Sequence, residues 1–460
     1  MLKFPKNFEF GASISALQTE GHGCTKTGLN TFDAFFDKSP ELFFNQVGPQ
    51  LTCDITTYYK EDIAMFKTIG FDSLRTGFAW ARLFPDGETL NEEAVIFYHD
   101  YIREYKKNHI KLYMTLFHFD MPLWAYQEGG WSSRKVINKF VKYAEFVFKE
   151  FHDEVDCFVT FNEPLVPVFE GYLGKRHYPG IWNPQEAIKQ AYGIFLAHSK
   201  VIKLYRKLKL KKPIGVVYNW NYTYPLSNKP QDLKAAQLHD AYVNRGPLDI
   251  MFNGKISSLL IESLKEYNLL PPYSTEEIAI IKDTKIDFLG INYYFPTRVR
   301  QVDNIKSARW GLEEVVAEIP KTANVNPFRG WEIYPEALYD IGMTIKNEFH
   351  NIPWYIAENG IGVENEESYR DQSGLIQDDY RIKFLTNHLQ IIKEVMNQGS
   401  NCFGYHMWAA LDCWSFRNAF KNRYGFIEVD LTDMSRRFKK SAFWYQELIK
   451  NKEVHDENTH

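Results

Sequence analysis

The chain has 460 residues, 45% hydrophobic and 24% charged, with 54 basic against 58 acidic side chains and a net charge of −4. That length can bury a large core without metals or disulfides, and the near-neutral charge argues against an electrostatic nucleic-acid binder. Its 27 Gly, 20 Pro and 5 Cys exclude collagen-like, disordered and disulfide-scaffold classes. The aromatic share, 16%, is high enough to serve a sugar-handling cleft as well as a core. The opening MLKFPKNFEF lacks the apolar region and cleavage pattern of a signal peptide. No stretch reaches the roughly 18 apolar residues of a membrane span. Cys24, Cys53, Cys157, Cys402 and Cys413 form no CxxC pair and read as small hydrophobes. Cys402 and His406 find no second cluster to complete a metal site, so the default is a cytoplasmic chain without metal.

Eight β-rich runs recur in chain order. They are FEFGASIS (8–15), SLRTGFAW (73–80), KLYMTLF (111–117), CFVTFNEP (157–164), PIGVVYNW (213–220), KIDFLGINYY (285–294), PWYIAENG (353–360) and CFGYHMWAALD (402–412). Their starts lie 38 to 72 residues apart, too far for hairpins but right for crossover helices. Amphipathic patterns fill the gaps: 56–70, closing on Gly70, then 134–151, 186–208 and 376–399, closing on Gly399. Alternating strands and helices predict a single (β/α)8 barrel over residues 1–451 with a polar, frayed tail at 452–460. A doubly wound open sheet competes, weakened by the lack of a GxGxxG turn.

In such a barrel, strand C-termini line the active site. The runs end on Gln18, Arg75 with Trp80, His118, Asn162–Glu163–Pro164, Asn292–Tyr293–Tyr294, Glu358–Asn359–Gly360, and His406 with Trp408 before Asp412. Two carboxylates therefore share one mouth, and Arg75 and Tyr293 are candidates to neutralise one of them. Each residue also has a plain structural reading. Glu163 fits the first turn of a helix, Asn359–Gly360 fits a tight turn, His118 and His406 fit satisfied core histidines, and Trp80, Trp124 and Trp408 fit packing. Taken jointly, two Glu, one Arg, one His, amides and indoles at successive strand ends match glycoside hydrolysis. No nucleophile elbow, HExxH, P-loop or dinucleotide motif offers another chemistry.

These residues also carry a family likeness. The chain resembles family 1 glycoside hydrolases from FPKNFEFGASISALQTEG (4–21) to YGFIEVD (424–430), with FHFDMPLW (117–124), TFNEP (160–164), GINYY (290–294), GWEIYPEAL (330–338) and IAENGIG (356–362) in family order. The resemblance implies retention of β configuration, Glu163 as acid/base, Glu358 as nucleophile supported by Arg75 and Tyr293, and no metal or organic cofactor. It also implies a glycone subsite of Gln18, His118, Asn162, Glu358 and Trp408, with Trp331 as aglycone platform; by residue type alone, Trp124 and Phe416 join Trp408 and Trp331 as candidate sugar-facing walls. A retaining pair stands only about 5–5.5 Å apart, so one carboxyl must take up a raised pKa. Thioglucoside-cleaving relatives carry Gln at the position of Glu163, so an O-glycosidase is expected.

One departure from the common pattern is informative. Plain β-glucosidases of the family carry xFEW after the eighth strand, whereas this chain reads DCWSFRNAFKNRYGF (412–426), with Ser415 in place of the Glu. Losing that carboxylate weakens binding of a neutral sugar and removes a repulsion of about 4 kcal/mol per unit charge from a 6-phosphate at ~4 Å. The segment resembles the 6-phospho-β-glycosidase branch, which implies Ser415, Lys421 or Asn422, and Tyr424 as phosphate ligands. Gapless matching puts Asn422, not Lys421, at the phosphate lysine's place. Phe416, lacking a donor, favours gluco over galacto. The expected substrate is a 6-phospho-β-glucoside. The alternatives are a 6-phospho-β-galactoside or both, then an unphosphorylated glucoside, and last a silent sugar-binding protein.

Overall fold

The computed structural model describes residues 2–23 and 25–454; Met1, Cys24 and 455–460 lie outside the described residues. Each of the eight runs holds one strand of a closed barrel: β1 Glu9–Ser13, β2 Ser73–Gly77, β3 Lys111–Phe117, β4 Cys157–Asn162, β5 Ile214–Asn219, β6 Phe288–Asn292, β7 Trp354–Asn359 and β8 Cys402–Trp408. Every pairing is parallel, and β8 closes on β1 from Gly404↔Glu9 to Trp408↔Ser13. Closure excludes the doubly wound open sheet.

Side chains alternate between the two faces of each strand. Tyr113, Val159, Val217, Phe288, Tyr355 and Ala357 form one inward cluster. His406 packs edge-on to Tyr113 and Tyr355 and hydrogen-bonds Ser73 Oγ at 2.8 Å. Gly11 is required beside it: a Cβ there would stand 2.1 Å from the Ser73 carbonyl oxygen and 2.8 Å from the imidazole. His406 therefore belongs to the barrel interior and not to the mouth.

The outer face is covered by helices whose apolar stripes match the sequence period. In Arg134–Phe151, Ser133 accepts from the Val136 N–H as N-cap, and Val136, Phe140, Tyr143, Val147 and Phe151 are buried. Each such side chain contributes about 1.5–3 kcal/mol. Ile55–Ile69 ends on Gly70 at φ +91°. Pro184–Lys207 begins ahead of the expected 186 because Asn183 accepts from the Glu186 N–H and Pro184 suits the first turn. Asp379–Asn397 begins later than 376 because Ile376 bridges Arg370 and the Asp378 carboxylate accepts from Ser441 and Arg381. Of the expected tail, 455–460 lie outside the described residues, and 452–454 are ordered. Glu453–Val454 pairs with Leu2–Lys3, and Lys452 Nζ reaches Asp72 Oδ2 at 2.5 Å, so residues 2–3 and 452–454 are tied together at the barrel's lower rim.

Among the described residues, no helix is long and apolar enough to cross a membrane. The connection from β6 to β7 is long and carries a tight hairpin, Val325–Asn326 against Trp331–Glu332. This hairpin and the loop after β8 build the rim above the strand ends.

Candidate active site

Glu163 follows β4 directly, and Glu358 is the penultimate residue of β7. Both carboxyls are buried, yet both line one cleft of about 650 Å³ at the C-terminal mouth. Glu163 holds φ at +46°, a left-handed conformation that costs a non-glycine residue on the order of 1 kcal/mol or more. Its N–H donates to the Val217 carbonyl at 2.9 Å, which fixes the strained residue against β5.

A buried network connects the two glutamates. The Arg75 guanidinium reaches Glu358 Oε1 and Asn162 Oδ1, and its Nε donates to Ser13 Oγ at 3.2 Å. Tyr294 donates to Glu358 Oε2 at 2.7 Å. Both oxygens of Glu358 thus face donors, leaving its lone pairs aimed by the protein. Asn292 Nδ2 donates to Glu163 Oε1 at 2.6 Å and to Asn162 Oδ1 at 3.1 Å. With Oδ1 of Asn162 already accepting twice, its Nδ2 must donate to His118 Nε2, at 2.9 Å. That assigns the proton to His118 Nδ1, which is buried and finds no partner among the described residues. A ligand hydroxyl would complete it.

The electrostatics divide the two carboxyls. Burial, and then the charge of Glu358, push the Glu163 carboxyl well above the ordinary carboxylate range. Glu358 has a cation at ion-pair distance that Glu163 lacks. Burial, and then Arg75, hold His118 far below its usual value, so it is a neutral donor. Burial followed by the charges of Glu358 and Glu163 raises Tyr294, which stays a phenol. One group poised to give a proton and one charged group held by donors is the division that a retaining glycosidase requires.

Gln18, His118, Trp331, Trp408, Ser415 and Tyr424 line the same cleft, with Phe416. Gln18 is aimed by Ser15, which donates to its Oε1, and by the Trp414 carbonyl, which accepts from its Nε2 at 2.8 Å. Trp331 stacks near Phe295 and Tyr294 on the rim, with ring centroids 4.9 and 5.5 Å apart.

Four expectations are corrected. Tyr293 does not reach the nucleophile: its hydroxyl donates to the Tyr334 carbonyl at 2.5 Å, and Tyr294 takes the place beside Glu358. The reason is strand parity. Phe288, Gly290 and Asn292 of β6 face inward, so 294 continues that face while 293 points at the helices. Lys421 leaves the cleft and pairs with Glu364 at 3.1 Å, two-fifths exposed. Parity decides here too, since Asn422 and Tyr424 are the buried pair of the extended 421–424 segment. Asn422 itself lies just behind the cleft wall, accepting from Arg329 Nη1 at 3.3 Å. Trp124 donates to the Phe84 carbonyl at 3.2 Å and packs on Trp80 beside Lys139, inside the helical layer rather than on a sugar wall.

Residues 1–454 match the model of glycosyl hydrolase family 1. The chain belongs to glycosyl hydrolase family 1. It is 40% identical over 455 residues to the 6-phospho-beta-glucosidase GmuD of Bacillus subtilis strain 168, covering 98% of each chain. It is 32% identical over 482 residues to a 6-phospho-beta-galactosidase of Staphylococcus epidermidis, covering 98% of this chain and 99% of that one. Among solved structures, the family 1 b-glucosidase from Thermotoga maritima superposes at a TM-score of 0.91 with 28% identity, over 98% of this chain and 99% of that one. The protein is thus a family 1 glycosidase.

Among the cleft-lining and network residues of this family 1 enzyme that the sequence does not single out as site residues are Asn292, Tyr294, Arg329 and Phe295. Parity along β6 would have found the first two. Arg329 and Phe295 sit on loops, where no period reveals which side chain faces the mouth.

Proposed function

We propose that this family 1 enzyme hydrolyses 6-phospho-β-D-glucosides to glucose 6-phosphate and an aglycone with retention of configuration. Protonated Glu163 gives its proton to the glycosidic oxygen while Glu358 attacks the anomeric carbon. The aglycone leaves as an alcohol and the sugar is held as an ester on Glu358. Esterification removes the Glu358 charge that helped raise Glu163, so Glu163 becomes more acidic and can take a proton from the attacking water. Water then adds at the anomeric carbon and frees Glu358.

The observation that carries the substrate class is the wall after β8. Ser415 brings a hydroxyl where a carboxylate would repel phosphate, and its Oγ makes no hydrogen bond among the described residues. Tyr424 lines the same wall with its phenol likewise unengaged. Similarity to a 6-phospho-beta-glucosidase at 40% identity supports the phosphorylated reading. Phe416, which offers no donor, supports gluco over galacto; the 32% likeness to a 6-phospho-beta-galactosidase keeps dual specificity as the second reading. A cytoplasmic location is part of the proposal, because a sugar phosphate does not cross a bilayer unaided and the described free thiols suit a reducing compartment. The partner is the small phosphorylated glycoside, with no nucleic acid and no membrane.

The test is kcat/KM for three 4-nitrophenyl substrates: β-glucoside, β-glucoside 6-phosphate and β-galactoside 6-phosphate. The phosphorylated glucoside should lead by at least 100-fold over the neutral one and exceed the galactoside. Equal or reversed preference between the first two defeats the proposal.

A further inference from the structure

A phosphate dianion bound by two hydroxyls alone would be poorly neutralised, and the lysine expected beside them is absent. Lys421 is committed to Glu364 outside the cleft, and position 422 is Asn. Some other cation must face the sugar phosphate. Among the described residues, the arginines lining the cleft are Arg176, Arg329 and Arg417. Arg176 is neutralised by Glu170, with Nε on Oε2 at 2.5 Å and Nη2 on Oε1. Arg417 is tied by Nε and Nη1 to the carbonyls of Leu42 and Lys175, at 3.2 and 3.1 Å.

Arg329 differs from both. It forms no ion pair with any described residue, and its buried Nε has no hydrogen-bond partner. Its position is nonetheless built. The Asn326 carbonyl accepts from the N–H of Arg329 and of Gly330, at 3.3 and 2.8 Å. Asn326 Nδ2 ties that turn to the Gly362 carbonyl at 3.0 Å. The guanidinium carbon lies 4.2 Å from the Trp331 ring centroid. Asn422 Oδ1 accepts from Nη1, while Asn422 Nδ2 faces Glu364 Oε1 at 3.5 Å, so the amide presents its oxygen to the cation and its NH₂ to the carboxylate. Arg329 is also close enough to Tyr424 for its charge to lower that phenol's pKa against the rise caused by burial.

We propose that Arg329 binds the 6-phosphate of the substrate in place of a lysine at 422, and that Asn422 is the positioning residue that holds it. The inference rests on the phosphorylated-substrate reading. A planar guanidinium with free N–H groups suits a phosphate better than a neutral amide does. It also explains why 422 is Asn: a lysine there would set a second cation against Arg329, whereas the amide oxygen accepts from it.

The test compares the ratio of kcat/KM for 4-nitrophenyl β-glucoside 6-phosphate to that for the neutral glucoside. Arg329→Gln should lower the ratio about 30- to 100-fold, mainly through KM for the phosphorylated substrate. Adding Asn422→Lys to that variant, or using Arg329→Lys instead, should restore at least tenfold. A ratio within threefold of wild type in Arg329→Gln overturns the inference, as does a loss that neither lysine restores. A collapse seen in Arg417→Gln instead overturns it as well. If the wild-type enzyme itself shows no preference for phosphate, the substrate reading fails; a preference that survives Arg329→Gln removes only the arginine's role.

Discussion

Replacing Glu163 by Gln removes one proton while keeping the shape of the side chain. Asn292 Nδ2 donates to Glu163 Oε1 at 2.6 Å, and the glutamine oxygen can accept the same bond, so the fold around the strained residue is retained. General acid assistance contributes roughly 10²- to 10⁴-fold, or about 3–5.5 kcal/mol. With an alkyl aglycone, which needs protonation, E163Q should lose that full factor. With 2,4-dinitrophenol as leaving group the first step needs no acid, so an ester on Glu358 should accumulate and added azide should speed turnover to a β-glycosyl azide. The pH profile gives an independent reading. Burial and the Glu358 charge raise Glu163, so with Glu163 as the acid the wild-type enzyme should be active while that group is protonated and should lose kcat/KM as pH rises through the raised value. This basic limb should vanish in E163Q. The same shift has a sign for stability. The folded state holds this proton more tightly than the unfolded chain, so the penalty of Glu163 is absent below its unfolded value near 4.5 and grows as pH climbs toward the folded one. E163Q should therefore match wild type in Tm at acid pH and exceed it at pH 8. An unchanged basic limb, with equal losses on both aglycones, would refute the acid/base assignment.

Other substitutions test the remaining geometry. Tyr294→Phe deletes a buried, charge-assisted bond to Glu358 and should cut kcat about 10- to 100-fold; Tyr293→Phe should leave kcat within threefold while costing about 1 kcal/mol in urea unfolding. Ser415→Glu places a carboxylate on the wall proposed to face the phosphate. At ~4–8 Å and an effective dielectric of 20, the repulsion is about 2–4 kcal/mol per unit charge, so kcat/KM for the phosphorylated glucoside should fall about 30- to 1,000-fold relative to the neutral one. Lys421→Ala removes only a part-exposed pair with Glu364 and should change neither substrate's kcat/KM more than threefold, nor stability by more than about 1 kcal/mol. In the helical layer, Phe140→Ala should cost about 3–5 kcal/mol, read from denaturant unfolding with catalysis monitored in parallel.

The barrel could be read from the chain because its signal is local and repeated: eight apolar runs at crossover spacing, each ending in polar residues. The two glutamates and Arg75 followed from the rule that strand ends face the mouth. What failed was finer. Choosing Tyr293 over Tyr294 ignored a period of two that Phe288, Gly290 and Asn292 already set. The same period of two separates part-exposed Lys421 from buried Asn422. Trp124 was assigned to a sugar wall by residue type, yet an indole beside Trp80 and a helix serves packing equally well. Arg329 was beyond reach for another reason. Its direction depends on the four-residue turn 327–330, a neighbouring indole and an amide 93 positions away, and none of these leaves a periodic trace. Polar composition at 452–454 does not reveal that Glu453 and Val454 pair with the second and third residues.

A single ¹H NMR time course on 4-nitrophenyl β-D-glucoside 6-phosphate with the wild-type enzyme bears most directly on the whole account. Rapid release of nitrophenol with the β anomer of glucose 6-phosphate appearing first, and the α anomer only later by mutarotation, is the predicted result. First appearance of the α anomer, or an inert phosphorylated substrate beside a hydrolysed neutral glucoside, would contradict it.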